Sequence, residues 1–559
     1  MTGVQTCALP IFVVVANVYP PRFIGGAELV AHRHACIMRD AGHRVIVFAG
    51  EARPASARHS VVQDTYEGLQ VHRVQLKAVD YSSDSVSFYH AEVERHFASL
   101  LALHRPDVVH FHNLNGLSTG IISQASRSGA VTVLTAHDYW GFCHRNTLLL
   151  RDGTVCTDRT ACADCQMYIH DGRGCTIPMR MRNDFIALQF RALDRLICPS
   201  AYLAAQYVES GLVPADRAVV VHNGADVRRL SGLSRESSEG PVRFAYIGYI
   251  GPHKGVVTLL EAFSQLCRSG KSATLSIVGE GEQREELQRM AAGFGIADRI
   301  CFTGKVDNRD IESIYAKTDV LVIPSIWPEN QPVTIMEAMA TRTAVIAARI
   351  GGIPEFVEDH KSGLLFDPGN ATDLAMRMQE LIESPSARHA YAAYAWQAIR
   401  EETYEQQAAR VLEVYDEAAM ARAARQRPPR ADDGAIIVCV GSRVAWQCAD
   451  VIDRITRAGS HPDWRFVMSG WLNGDYSEAA VAWVTDSSVS LDEVYPLLAV
   501  RVPVLVPESH ATMLQLCRTA RCGLFYQSPD DIEACLELLV SDTALRAELG
   551  ENGLAHTLR

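Results

Sequence analysis

The chain has 559 residues, 48% hydrophobic and 21% charged, a balance that excludes wholesale disorder and leaves room for about three domains. A net charge of −12 argues against nucleic-acid binding, and no run approaches the roughly 18 apolar residues of a membrane span. Fifteen cysteines in so long a chain do not make a secreted disulfide scaffold, and with 6 lysines against 47 arginines any lysine at a chemically meaningful place stands out.

Residues 1–11 lack the basic start and small-residue cleavage site of a secretory signal, and read as a non-native leader. Phe12–Asn17 is predicted as a buried strand. The turn Pro21–Glu28, with Gly25 and Gly26, then leads into a helix over Ala27–Ala41 and a strand over Arg44–Ala49. A helix over Glu92–Leu103 and strands over Asp107–Phe111 and Val131–Thr135 continue the alternation. His110, His112 and His137 fall at the carboxyl ends of those two strands. Apolar strands alternating with amphipathic helices mean a parallel sheet covered on both faces, which binds ligands at its carboxyl edge.

Next come Cys143-x12-Cys156-x5-Cys162-x2-Cys165, with Cys175 after nine more residues. Four thiolates closing on a CxxC fit a structural Zn²⁺; free thiols or a local disulfide stay open. Ile177–Leu196 reads as an amphipathic helix with Arg180, Arg182, Arg191 and Arg195. Such a helix could lie on an anionic membrane or a lipid-linked acceptor, or simply face solvent. His222-Asn223-Gly224 forms a turn into a second α/β unit.

That unit has strands over Phe244–Ile247, Thr274–Val278, Val320–Ile323 and Val345–Ala347. Gly248-Tyr249-Ile250-Gly251-Pro252-His253-Lys254-Gly255 is a glycine-rich turn from strand to helix, and its lysine can cradle phosphate. Gly279-Glu280-Gly281 is another strand-end turn. After Val320–Ile323, Pro328 and Pro332 bar a helix, so Glu329 sits in a loop, whereas Glu337 sits in the helix that follows. With Pro332 in its first turn, that helix would present the free N–H groups of Val333 and Thr334, an anion site suited to a diphosphate. A loop glutamate and a solvated helix glutamate remain the plain alternative.

A long helical stretch over Ala387–Arg422 precedes a polar linker. The alternation then starts a third time, and Val504 and Leu524 echo Val345 and Leu364 at offsets of 159 and 160 residues. Here the chemistry is not repeated: the offset places Pro496 where Glu337 would stand. Residues 434–559 carry 9 basic and 16 acidic side chains, which argues against a phosphate-rich ligand. The unit therefore reads as a degenerate copy for packing or partner binding, or as part of a second enzyme cut short at Arg559.

From Val242 to Pro385 the sequence resembles the nucleotide-sugar half of a family 4 glycosyltransferase, a retaining GT-B enzyme, and the likeness extends over about Phe12 to Ala418. Glu329 and Glu337 match that family's E-x7-E signature and Lys254 its phosphate lysine. Ile350–Glu355 and Ser362–Phe366 match its later turns. The resemblance implies an α/β fold: two Rossmann-like doubly wound domains facing a cleft, plus the third, partial Rossmann-like unit. The divisions expected are residues 12–205, with the Cys-rich insertion 143–175; 206–399; a returning helix 400–422; a linker 423–433; and 434–559.

It also implies that Glu337 holds the nucleotide ribose, that Glu329 touches the donor sugar, and that Lys254 neutralises the leaving diphosphate. His137 lies near the sugar, and Gly25, Gly26, Gly248, Gly279, Pro332, Val333 and Thr334 line the donor. The family usually has Arg where this chain has Tyr249. The implied activity is transfer of a sugar from a UDP- or GDP-sugar to a glycan or lipid-linked acceptor, as in cell-envelope polysaccharide synthesis. It would be cytoplasmic, with peripheral membrane contact open, and would need no catalytic metal. The alternatives are an inactive sugar-nucleotide-binding scaffold and a GT-B epimerase or phosphorylase.

Overall fold

Strands made of unbroken apolar residues are buried on both faces, as Ile11–Ala16, Val320–Ile323 and Val504–Pro507 show. The computed structural model describes residues 10–22, 25–52, 57–77, 88–158, 162–170, 176–234, 240–425, 434–441, 444, 446–472 and 474–558. The expected leader up to residue 9, Cys175 and the linker from 426 to 433 lie outside the described residues.

The first sheet has eight strands in the spatial order Ala218–Val220, Arg195–Cys198, Val131–Thr135, Val108–Phe111, Ile11–Ala16, Arg44–Ala52, Leu69–Leu76 and Val61–Tyr66. Only the last, at the edge, runs antiparallel to its neighbour. Because Ala218–Val220 pairs with Leu196–Cys198, the first domain reaches past the boundary expected at 205. The hairpin Val61–Leu76 was not among the predicted strands; its mixture of His, Arg and Gln masks the period.

The second sheet has six parallel strands in the order Ile300–Gly304, Ala273–Val278, Val242–Ile247, Val320–Ile323, Ala344–Ala348 and Leu364–Phe366. Chain order reverses between Val242–Ile247 and Val320–Ile323. A crevice opens at such a switch point, beyond the carboxyl ends of the two strands. The long helical stretch is two helices, Pro385–Ile399 and Tyr404–Arg425. The second returns to the first domain and buries Val411, Val414, Tyr415 and Ala418 against Phe12, Val14 and Val133.

The third sheet is fully parallel: Arg465–Met468, Ile436–Val440, Ala479–Val484, Val504–Pro507, Gly523–Tyr526. Its order is that of the second sheet without the outermost strand. Between Val278 and Val320 the second domain has helices Arg284–Gly293 and Ile311–Tyr315 around the strand Ile300–Gly304, whereas between Met468 and Ala479 there is only the short turn Ser469–Leu472. The helix Leu491–Ala499 takes the place of Val333–Ala340 and carries Pro496 inside it.

This third unit packs on the first domain, and its core is continuous with that domain's. The docking element is the helix Met179–Arg191, which buries Met181, Arg182, Asp184, Phe185 and Ile186. Arg180 donates to the carbonyls of His461 (2.9 Å) and Trp464 (2.8 Å), and Asp184 accepts from the Phe466 N–H at 2.9 Å. Trp471 meets Phe88, Tyr89 and Phe185 at ring-centroid distances of 5.1–5.8 Å. The helix read from sequence as a membrane or solvent face is thus an internal one. Both Arg180 and Arg182 donate to backbone carbonyls inside the protein, Arg182 to that of Trp140 at 2.7 Å, so neither a membrane nor an acceptor lipid meets them.

Candidate active site

The predicted site residues of the second domain converge at its switch point. The strand Val242–Ile247 ends in Gly248, and a short 3-10 turn, Pro252–Lys254, places the lysine beside the loop that follows Ile323. Lys254 Nζ lies 2.7 Å from Glu329 Oε1 and 4.6 Å from the centre of the Trp327 ring. Ser325 Oγ donates to the same carboxylate oxygen at 2.7 Å. Burial pushes the Glu329 carboxyl up, but the Lys254 ammonium and the hydrogen bonds from Lys254 and Ser325 outweigh it and hold it below the usual range. Glu329 is therefore an ionised acceptor and a weak base.

Gly279 shows why glycine closes the neighbouring strand. Its φ is +141°, and a Cβ there would stand 1.8 Å from the Gly248 carbonyl oxygen. The two strand-end turns pack backbone to backbone, which fixes the floor under Lys254.

Pro332 caps the helix Val333–Ala340, one position earlier than the first-turn place read from sequence, and the Val333 and Thr334 N–H groups open its first turn. Glu337 is buried one turn further in, with Tyr315 Oη 2.9 Å from its Oε2. Burial pushes the Glu337 carboxyl up to about 7, against opposition from the Tyr315 hydrogen bond and the Arg229 charge. A narrow cleft beside it is lined by Arg33, Asp226, Arg229, Val333 and Tyr404.

The first domain closes over this edge. The Gly25-Gly26 turn starts the helix Gly26–Asp40, capped by Glu28, whose carboxylate accepts from the Gly25 N–H at 2.9 Å. A Cβ on Gly26 would stand 3.1 Å from Val333 Cγ2, so the glycine turn of one domain lies directly on the helix start of the other. The His137 carbonyl accepts from Asn330 Nδ2 at 2.5 Å, and Tyr139 Oη donates to the Pro328 carbonyl at 2.6 Å. His137 thus stands at the domain seam. Its Nε2 lies 3.0 Å from His112 Nδ1, and burial lowers its pKa to about 3, so the ring is neutral.

His110 is further inside, between Tyr415 Oη and Thr135 Oγ1, each at 2.7 Å, and is structural rather than a cleft residue. In the turn after His222, Asn223 donates its N–H to Gln331 Oε1 at 2.6 Å and Gly224 its own to Gln407 Oε1 at 2.8 Å. Tyr249 is half exposed and turns to Glu282, away from Lys254, so it brings no second cation.

Four contributors escaped the sequence reading. Ser325 and Asn330 flank Glu329 and had a local signal, and Tyr139 lies within the stretch around His137. Tyr315 had none: its contact with Glu337 depends on how the helix Ile311–Tyr315 packs.

Two family models fit the chain side by side: Glycosyltransferase Family 4 over residues 24–229 and Glycosyl transferases group 1 over residues 234–398. A 2-deoxystreptamine glucosyltransferase of Streptomyces kanamyceticus is 33% identical over 29% of this chain and 42% of its own length. A glycogen synthase of Mycobacterium tuberculosis is 26% identical over 74% of this chain and 95% of its own. The chain spans less than half the length of the first curated relatives that it matches. Among solved structures, sucrose-phosphate synthase from Thermosynechococcus elongatus superposes with a TM-score of 0.57 at 19% identity, over 74% of this chain and all of that one. Anabaena HepE in complex with UDP gives 0.53 at 18%, over 73% and all. These likenesses cover the first two domains' share of the chain and show their fold.

Proposed function

The chain belongs to the group 1, family 4 glycosyltransferases, whose GT-B fold sets two Rossmann-like domains face to face, and from that premise we propose that it moves a sugar from a nucleotide-sugar donor to an acceptor hydroxyl with retention of configuration. The observation that carries this reading is the meeting of Lys254, Glu329 and the start of the helix Val333–Ala340 at one switch point, under the Gly25-Gly26 turn of the facing domain.

In this reading the diphosphate lies over the Val333 and Thr334 N–H groups and beside Lys254, where a fixed positive field meets the charge that develops as it leaves. Glu337 accepts from the ribose hydroxyls, and Glu329 from hydroxyls of the sugar. The bond from the anomeric carbon to the diphosphate oxygen breaks, the acceptor oxygen bonds on the same face, and its proton passes to the departing phosphate oxygen. Glu329 is a poor candidate for that proton, because Lys254 and Ser325 hold its carboxyl acidic. In the same reading His137, neutral at the seam, hydrogen-bonds the sugar.

UDP-glucose is the first donor to try, because the similar HepE structures hold UDP and UDP-glucose. The acceptor proposed is a glycan or lipid-linked glycan. Among the described residues no helix is long and apolar enough to cross a membrane. One observation favours a second reading, a binding protein without turnover: Tyr249 leaves Lys254 without the family's second phosphate cation. Donor hydrolysis measured on UDP-, GDP- and ADP-sugars without acceptor decides between the two. Release of nucleoside diphosphate that Glu329→Gln abolishes supports the transferase; tight binding with no release supports the alternative.

A further inference from the structure

A cavity of about 960 Å³ lies inside the Cys-rich insertion, lined by none of the residues assigned to the donor site. Cys143, Cys156, Cys162 and Cys165 all line it, although they span 23 residues of sequence. Local structure brings them there in two pairs. The Cys143 N–H bonds the Tyr139 carbonyl at 2.7 Å, and a hairpin closed by the Leu149–Val155 bridge returns the chain so that the Cys156 N–H bonds the Leu148 carbonyl at 2.7 Å. Cys162 and Cys165 occupy a single helical turn, Cys162–Cys165. No disulfide joins any two of the four.

We propose that these four cysteines bind one structural Zn²⁺ through four thiolates, pinning the insertion to the wall of the catalytic cleft. Two features favour a cation there. Arg182, fully buried with its guanidinium 5.5 Å from the centre of the Trp140 ring, puts a fixed positive charge near Cys143 and Cys162, which suits a tetrathiolate that keeps net negative charge with zinc bound. The pairing of a CxxC turn with two cysteines from a hairpin is a ligand set of structural zinc.

The four thiols stand round a wider space than a zinc shell. Among the described residues the potential ligands already within 4.8 Å of one another are His34–His110–His112 and His32–Cys36–Glu67. Neither is a better site. Both His110 nitrogens are engaged, and His32 is held between Tyr19 and Glu67. The cysteine site has all four residues on the wall of one open cavity.

The consequence for the cleft is direct, since Cys143 is four residues from Tyr139, whose hydroxyl reaches the Pro328 carbonyl beside Glu329. The zinc proposal itself does not depend on the transferase reading.

The test is elemental analysis of the full chain purified under reducing conditions. About one zinc per chain is expected, falling to a small fraction of that in Cys162→Ser and Cys165→Ser, and unchanged in Cys267→Ser, a cysteine of the second domain. So that misfolding of the first two variants cannot decide the outcome, the wild-type protein is also titrated with an organomercurial: zinc should leave in step with four thiols. Cobalt in place of zinc should give a thiolate-to-metal charge-transfer band. Protein without zinc whose thiols all react freely, a disulfide within the set, or zinc retained by the Cys162→Ser, Cys165→Ser double variant would each overturn the proposal.

Discussion

At the scale of single residues, the two glutamates differ in charge because they differ in company. Glu329 has an ammonium and a hydroxyl on one oxygen and stays ionised; Glu337 has only a phenol in direct contact, and its proton leaves at about pH 7. Glu329→Gln keeps the volume but loses the charge, and should abolish transfer while leaving nucleotide affinity within a few-fold, as single-turnover assays and calorimetry would show. Lys254→Ala should lower turnover roughly 10²- to 10³-fold, the scale of losing one oxyanion donor. It would also strand Glu329 as a buried, unpaired charge, so stability must be measured beside activity. For Glu337 the sign runs one way. Ribose hydroxyls donate best to the ionised carboxylate, which is the minor form below about pH 7. Nucleotide affinity should therefore rise as pH passes upward through about 7, with a proton released on binding below that point. Glu337→Gln should bind more weakly and flatten the profile; a wild-type affinity that is level from pH 6 to 8 would remove Glu337 from the ribose.

At the scale of elements, the site is a set of loops that brace one another. Gly351 sits at φ +61°, and a Cβ there would stand 2.2 Å from the Glu329 carbonyl, which also accepts from the Gly352 N–H at 2.7 Å. Gly351→Ala must push the Glu329 loop away from Lys254. Turnover should fall at least tenfold and stability by more than about 1 kcal/mol, read from kinetics and a denaturant midpoint. Most of this architecture is legible in the sequence because the parallel strands are short, wholly apolar runs, and because Glu329, Glu337 and Lys254 all sit at strand ends or helix starts. What was not legible depends on long-range packing. The helix Met179–Arg191 carries arginines at positions that resemble a wet face, and only the docked third unit shows that Arg180 spends its charge on two backbone carbonyls. Tyr315 pairs with Glu337 across 22 residues with no periodic cue. The hairpin Val61–Leu76 hides because His72, Arg73 and Gln75 are buried polar residues on an otherwise apolar strand.

At the scale of the whole molecule, the third unit has the strand order of the second sheet without its outermost strand, and Pro496 stands where the second unit has its helix glutamate. The connection from Arg465–Met468 to Ala479–Val484 is correspondingly short. A docking face ties the unit to the first domain. Trp471 fills a socket of Phe88, Tyr89 and Phe185, while Asp184, buried, takes the Phe466 N–H. That face is on the first domain, and among the described residues the side-chain hydrogen-bond partners of Lys254, Glu329 and Glu337 all belong to the second domain. The unit should therefore support the first domain's fold and leave donor binding alone. Trp471→Ala empties a core-like socket and should cost about 3–5 kcal/mol of stability. A chain ending near Arg430 bares the same apolar socket and takes the Phe466 N–H from Asp184, so it should unfold at lower temperature and self-associate more readily. Its affinity for the nucleotide sugar, measured by calorimetry at a temperature where it is folded, should match that of the full chain within about threefold. If the shortened chain folds and no longer binds a sugar nucleotide that the full chain binds, the third unit reaches the donor site and its reading as a spent copy kept for packing fails.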